Sequence, residues 1–172
     1  MTKNAIMCIA LILLASCTSQ TKPQVKRPEA ENLPKWILKL KEDDKECIYA
    51  DLRSISNYQG NQHLRRLYLI TNFPKANQIK RKVFTSIPTM FSIRENRIIN
   101  CDTQETAVSE ELFFSQYWAE GELISKTSGV SQWRPIPKGS IIDVLADVTC
   151  KIAPVDLKPE PPADTRIPFI DR

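Results

Sequence analysis

Histidine is almost missing from this chain: His63 is the only one in 172 residues. Nothing marks a serine or aspartate as its partner, so histidine-driven nucleophilic or acid–base chemistry has no foundation here. Glycine is scarce too. With only four glycines, the chain cannot build the glycine-rich loops that cradle phosphates. After Cys17 the cysteines are never closer than 49 residues, which excludes the short Cys spacings of structural zinc sites. Long apolar runs are also lacking. The longest, residues 5–14, falls short of the roughly 20 residues that span a bilayer. These absences leave no expected enzyme activity, cofactor or metal, and direct attention to binding or structural roles.

The N-terminus carries a clear pattern. Lys3 is the only charge before Lys22, and the apolar run ends in Leu14, Ala15, Ser16 and Cys17. A short basic region, an apolar stretch and small residues form a secretory signal peptide, expected over residues 1–16. Leu-Ala-Ser-Cys resembles a bacterial lipobox, in which the Cys thiol receives a diacylglycerol and becomes the new N-terminus. Cys17 is therefore the expected lipidation site, and the lipid bilayer an expected partner. Two or three acyl chains hold a membrane stably where one does not. Thr18 stands where an Asp would favour the inner membrane, so the outer membrane is expected, with the chain facing either the surface or the periplasm. Residues 17–34 are polar, include Pro23, Pro28 and Pro34, and read as a flexible tether.

Charge is divided unevenly. Residues 22–82 hold 14 Lys and Arg against 7 Asp and Glu, while residues 83–172 hold 9 against 13. The first half is thus +7 and the second −4. A basic half gives a weak general affinity for polyanions such as glycosaminoglycans; no nucleic-acid partner is implied. In an exported chain, Cys47, Cys101 and Cys150 make one pair and one leftover.

Taken in order, residues 36–40 and 46–52 read as a hairpin across the turn at 42–45. Residues 53–62 read as a polar loop and 63–73 as a third strand with two apolar faces. The stretch 74–82 is basic, with Lys75, Lys80, Arg81 and Lys82. Residues 91–101 form a strand in which Phe91, Ile93, Ile99 and Cys101 share a face, with Glu95 and Arg97 between them. Residues 105–118 read as a strand paired to it, with a helix the alternative because Glu110, Glu111 and Leu112 favour one; 120–132 reads as a loop, and 133–137 as extended because of its prolines. Ser140 is a good N-cap for a helix. A stripe of Ile141, Leu145 and Val148 would leave Cys150 on the opposite side, so the helix is expected to end near Val148 or Thr149. Residues 154–172, with five prolines, read as a disordered tail after a domain spanning 35–153.

The stretch Ser-Ile-Arg-Glu-Asn-Arg-Ile-Ile-Asn-Cys at residues 92–101, followed in order by Tyr117, Trp118, Gly121, Pro137, Ser140 and Cys150, resembles the surface-adhesin protein E family. The resemblance implies an α+β fold: an antiparallel β-sheet with a C-terminal helix packed on one face and tied by a Cys101–Cys150 disulfide. It also implies an outer-membrane lipoprotein that binds host matrix or plasma proteins such as vitronectin, laminin or plasminogen, and a homodimer. Lys75, Lys80, Arg81, Lys82, Arg94 and Arg97 are the basic residues expected to serve ligand binding. The alternative is a periplasm-facing structural or assembly lipoprotein of the cell envelope.

Overall fold

Alternating apolar residues over 37–128 build one antiparallel meander. The structure, a computed structural model, describes residues 33–77 and 89–169. The elements are β1 (Ile37–Glu42), β2 (Cys47–Tyr58), β3 (Asn61–Asn77), β4 (Met90–Asn100), β5 (Glu105–Phe114), β6 (Leu123–Ser128), β7 (Arg134–Pro135) and α1 (Ile141–Cys150). Strands β1 to β6 pair in sequence order, and the two-residue β7 pairs with β5 beside β6. The meander and its single C-terminal helix agree with the fold expected.

Boundaries differ from the sequence reading at several points: the strand read over 105–118 ends at Phe114, with Tyr117 and Trp118 in a turn beyond it, and three other differences shape the core. Strand β2 does not stop at Leu52. Its register breaks between Asp51 and Ser56, and Ser54 ties the bulge: its Oγ donates to the Asp51 carbonyl at 2.6 Å and accepts from the Tyr68 N–H at 2.7 Å. Ile55 is thereby delivered to the core, 6% exposed. The polar appearance of residues 53–58 thus conceals a strand whose small serines fit a crowded bulge. Residues 120–132 likewise contain β6, whose Leu123 and Ile124 are buried.

The helix is the third. It runs through Cys150, and its buried face is Leu145, Ala146 and Thr149, with Ile142 and Cys150 packed alongside. At 100° per residue these five lie within one stripe, which places Cys150 toward the sheet without any break. Val144 and Val148 are about half exposed. The expected stripe followed the large apolar residues; the actual one uses small Ala146 and Thr149, which let the helix approach the strands. Ser140 caps it as expected, with Oγ accepting from Asp143 N–H at 3.1 Å, while Asp143 reaches back to Gly139 N–H at 2.9 Å.

Helix α1 packs on the sheet face that carries Ala50, Leu67, Leu69 and Ile99. On the same face Cys101, just beyond β4, joins Cys150 in a disulfide with 5.6 Å between Cα atoms. Cys47 is buried and free. The opposite face of β3 is covered as well, as its two apolar faces implied.

Candidate ligand-binding face

Alternation along the central strands decides what the face away from the helix presents. Tyr68, Ile70 and Asn72 on β3 stand opposite Asn96, Arg94 and Ser92 on β4, and Asp51 on β2 stands opposite Tyr68. Arg66 shares this face by parity. The result is a cluster of arginine around one ring. The guanidinium of Arg94 lies 4.7 Å from the Tyr68 centroid, and that of Arg66 lies 5.0 Å from it. Arg66 also donates to Tyr68 Oη at 2.6 Å and to Asn96 Oδ1 at 2.8 Å. Stacked guanidinium groups keep their in-plane donors free for carboxylates.

A groove with a volume of about 590 Å³ opens beside this cluster, with Tyr68, Ile70 and Arg94 as its floor. Trp36 and Arg53 form one wall, and Trp118 forms the other. The Arg53 guanidinium sits 4.5 Å over the Trp36 ring, which is 42% exposed. Trp118 is held in an uncommon way. It and Ala119 both have left-handed backbone, at φ 63° and 58°, a conformation that costs about 1–2 kcal/mol per non-glycine residue. Two buried side chains offset that cost: Asn72 Oδ1 accepts the Trp118 N–H at 2.9 Å, and Ser92 Oγ accepts the Ala119 N–H at 3.0 Å. The turn is thereby locked with Trp118 against Tyr49, ring centroids 4.6 Å apart. Backbone strain fixed by buried polar partners at the lip of a groove is a feature of sites that hold something.

The chain beyond α1 also lies on this face, which corrects the expectation of a disordered tail. Lys158 bridges to Ser56. Glu160 accepts from Arg66 at 2.6 Å and from Gln59 N–H at 3.1 Å. Asp164 accepts from Arg94 at 2.8 Å, and Arg166 stacks 4.7 Å over Phe114. Asp164 is 8% exposed at its side chain. Hydrogen bonds from the Arg166 guanidinium, helped by its backbone N–H and the charge of Arg94, hold its carboxyl well below the usual carboxylate range. Proline-rich composition argued for disorder; the carboxylates and the paired arginines supply the docking energy that composition does not register.

The basic residues singled out in the sequence separate. Lys75 is exposed near the end of β3. Lys80, Arg81 and Lys82 lie outside the described residues. Arg94 and Arg97 occupy opposite faces of β4, and Arg97 is paired with Glu95 at 2.7 Å on the helix side. Of the three that are described, Arg94 alone joins the groove. Trp36, Arg53, Arg66, Tyr68 and Trp118 were not anticipated. The alternation of Arg66 and Tyr68 with buried Leu67 was the one available signal for the cluster.

Comparison with known proteins fixes the lineage. The profile of the family described as surface-adhesin protein E matches residues 36–151. This chain belongs to the surface-adhesin protein E family. Its fold is similar to that of Haemophilus influenzae protein E. One structure of that protein superposes with a TM-score of 0.58 at 13% identity, covering 78% of this chain and 98% of the other. A second crystal form gives a TM-score of 0.56 at 15% identity, covering 74% and 96%. Membership of the surface-adhesin protein E family supports a surface-adhesin role at the bacterial surface, which is binding and not catalysis. The family match ends at residue 151, so the docked tail lies beyond it.

Proposed function

We propose that this chain is an outer-membrane lipoprotein adhesin, anchored through acylated Cys17, that binds host matrix or plasma proteins. The observation that carries the reading is the aromatic–arginine groove on a sheet belonging to an adhesin family. Tryptophan, tyrosine and arginine are the residue types that dominate binding energy at protein interfaces, and Trp36, Trp118, Tyr68, Arg53 and Arg94 meet here. The stretch from Cys17 to Lys35 precedes the family match and is a suitable spacer between membrane and domain.

Purified residues 18–172 should bind immobilised vitronectin or laminin saturably at physiological salt. Trp36→Ala with Arg53→Ala should weaken that binding by at least about tenfold, the loss typical of an interface hot spot. Absence of saturable binding to either protein would sink the adhesin reading. For the anchor, cells expressing the full chain should incorporate radiolabelled fatty acid into it, and Cys17→Ser should remove the label. Labelling that persists in Cys17→Ser would refute the anchor.

A further inference from the structure

We propose that the sheet face under the tail is a receptor for an acidic, proline-containing extended segment of a partner protein, and that residues 158–166 occupy it in cis as a displaceable cover. The tail shows what the face recognises. It presents two carboxylates four residues apart, Glu160 and Asp164, with Pro161 and Pro162 between them. Each carboxylate meets one arginine of the Tyr68 cluster. With the tail in place Arg66 is 6% exposed and Arg94 19% at the side chain. The sheet holds the Arg66 fork through Asn96 Oδ1 and Tyr68 Oη, and both guanidinium groups stack at the Tyr68 ring and meet the bound chain. A proline-rich segment arrives already extended and loses little conformational freedom on docking.

The tail does not satisfy its receptor fully. Asp164 takes only one nitrogen of Arg94, and the Arg94 Nε is buried with no hydrogen-bond partner. Both oxygens of Asp164 are shared with Arg166 of the tail itself. A partner carboxylate without that internal competitor would take Arg94 through Nε and Nη2 together, the geometry in which arginine binds carboxylates best. The cis cover is therefore weaker than the ligand the site can hold. A tethered segment still competes at an effective concentration on the order of millimolar, so it screens out weak partners and yields to strong ones. The adhesin reading supplies only the source of that partner; the recognition chemistry is tested without any host protein.

The test uses residues 18–172 and a fluorescent peptide of residues 157–169. In Glu160→Gln with Asp164→Asn the tail should come off the sheet, seen as faster tryptic cleavage after Arg166. That variant should bind the peptide at least about tenfold more tightly than the unaltered protein, whose site is filled. Adding Arg94→Gln to the released variant should cost the peptide a further tenfold or more, on the order of one charge-assisted hydrogen bond, while circular dichroism shows the fold retained. Unchanged cleavage after Arg166 would mean the two carboxylates do not hold the tail, and would overturn the proposal. Equal peptide binding by the released and unaltered proteins would overturn it as well. So would a halving of the unaltered protein's mass in light scattering when the peptide is added, because the occupant would then be the tail of a second copy. Host-protein binding can fail with all of these results positive, which separates the two readings.

Discussion

Replacing Cys101 and Cys150 with serine should lower the unfolding free energy by about 4 kcal/mol, because the bond closes a long loop in the unfolded chain. The two cysteines lie 49 positions apart, and the loop they close holds β5, β6, β7 and α1, whose last residue is Cys150. Without the bond, those elements regain their freedom relative to β4 on unfolding, which is where most of the effect arises. A second contribution is local. Helix α1 has 10 residues, below the length at which an isolated helix holds in water, so its stability comes from packing on the sheet. Urea unfolding of residues 18–172 should show the double variant's midpoint well below that of the unaltered protein. Dithiothreitol should bring the unaltered protein to the same place and leave the variant where it is. A loss under about 1 kcal/mol would show that the helix and sheet hold together without the staple. Small domains have about 5–15 kcal/mol in total, so the expected loss is a large share of what keeps this one folded.

How far the sequence discloses this molecule depends on where each signal resides. The sheet was legible because β3, β4 and β5 alternate on a two-residue period and are long enough for that period to stand out. The disulfide partners were legible through family resemblance at residues 92–101 and 137–150, and parity agreed for Cys101. The helix face was misread because Ala146 and Thr149 carry little hydrophobic weight, yet it is their small size that lets α1 sit close to Leu67 and Ile99. Strand β2 was cut short because a serine-rich bulge looks like a loop. The candidate site was the least legible part. Its walls come from β1, β2, β3, β4 and the turn at Trp118, and only pairing register brings them to one place. A search for runs of basic residues selected residues 80–82 and paired Arg94 with Arg97, whereas the sheet sends those last two to opposite sides. The tail was misjudged for a related reason: a proline-rich stretch has no core of its own, and its order depends on Arg66 and Arg94, which lie roughly seventy to ninety-five residues earlier.

Arg65→Met should destabilise the protein by about 3 kcal/mol, the range expected when a buried charge-assisted donor is removed and its acceptors lose it. Arg65 is 3% exposed on the helix side of β3. Its Nε donates to the Thr149 carbonyl at 3.3 Å and its Nη2 to the Ile152 carbonyl at 3.2 Å, while Nη1 serves the Gln62 carbonyl at 2.6 Å and Asn57 Oδ1 at 3.1 Å. The carbonyls of Thr149 and Ile152 lie at the C-terminal end of α1, where helix carbonyls lack intrahelical donors and a cation meets the negative end of the helix dipole. Burial lowers the Arg65 pKa, but an arginine this basic keeps its charge at neutral pH. Methionine would fill the space and take the guanidinium from the Gln62 and Ile152 carbonyls and from Asn57 Oδ1, while the Thr149 carbonyl keeps the Ile152 N–H. Lysine would restore the charge but not the planar fork, so Arg65→Lys should recover less than half of the loss. Hydrogen exchange should accelerate at residues 147–152 in both variants, more in the methionine variant. A methionine variant within about 1 kcal/mol of the unaltered protein would show that water replaces the fork at little cost. The staple acts mainly on the unfolded chain and Arg65 on the folded helix end, so the two losses should approach simple addition. Their sum, about 7 kcal/mol, falls within the stability of an ordinary domain. A chain lacking both should therefore be largely unfolded at 37 °C, with α1 the first element to leave the sheet.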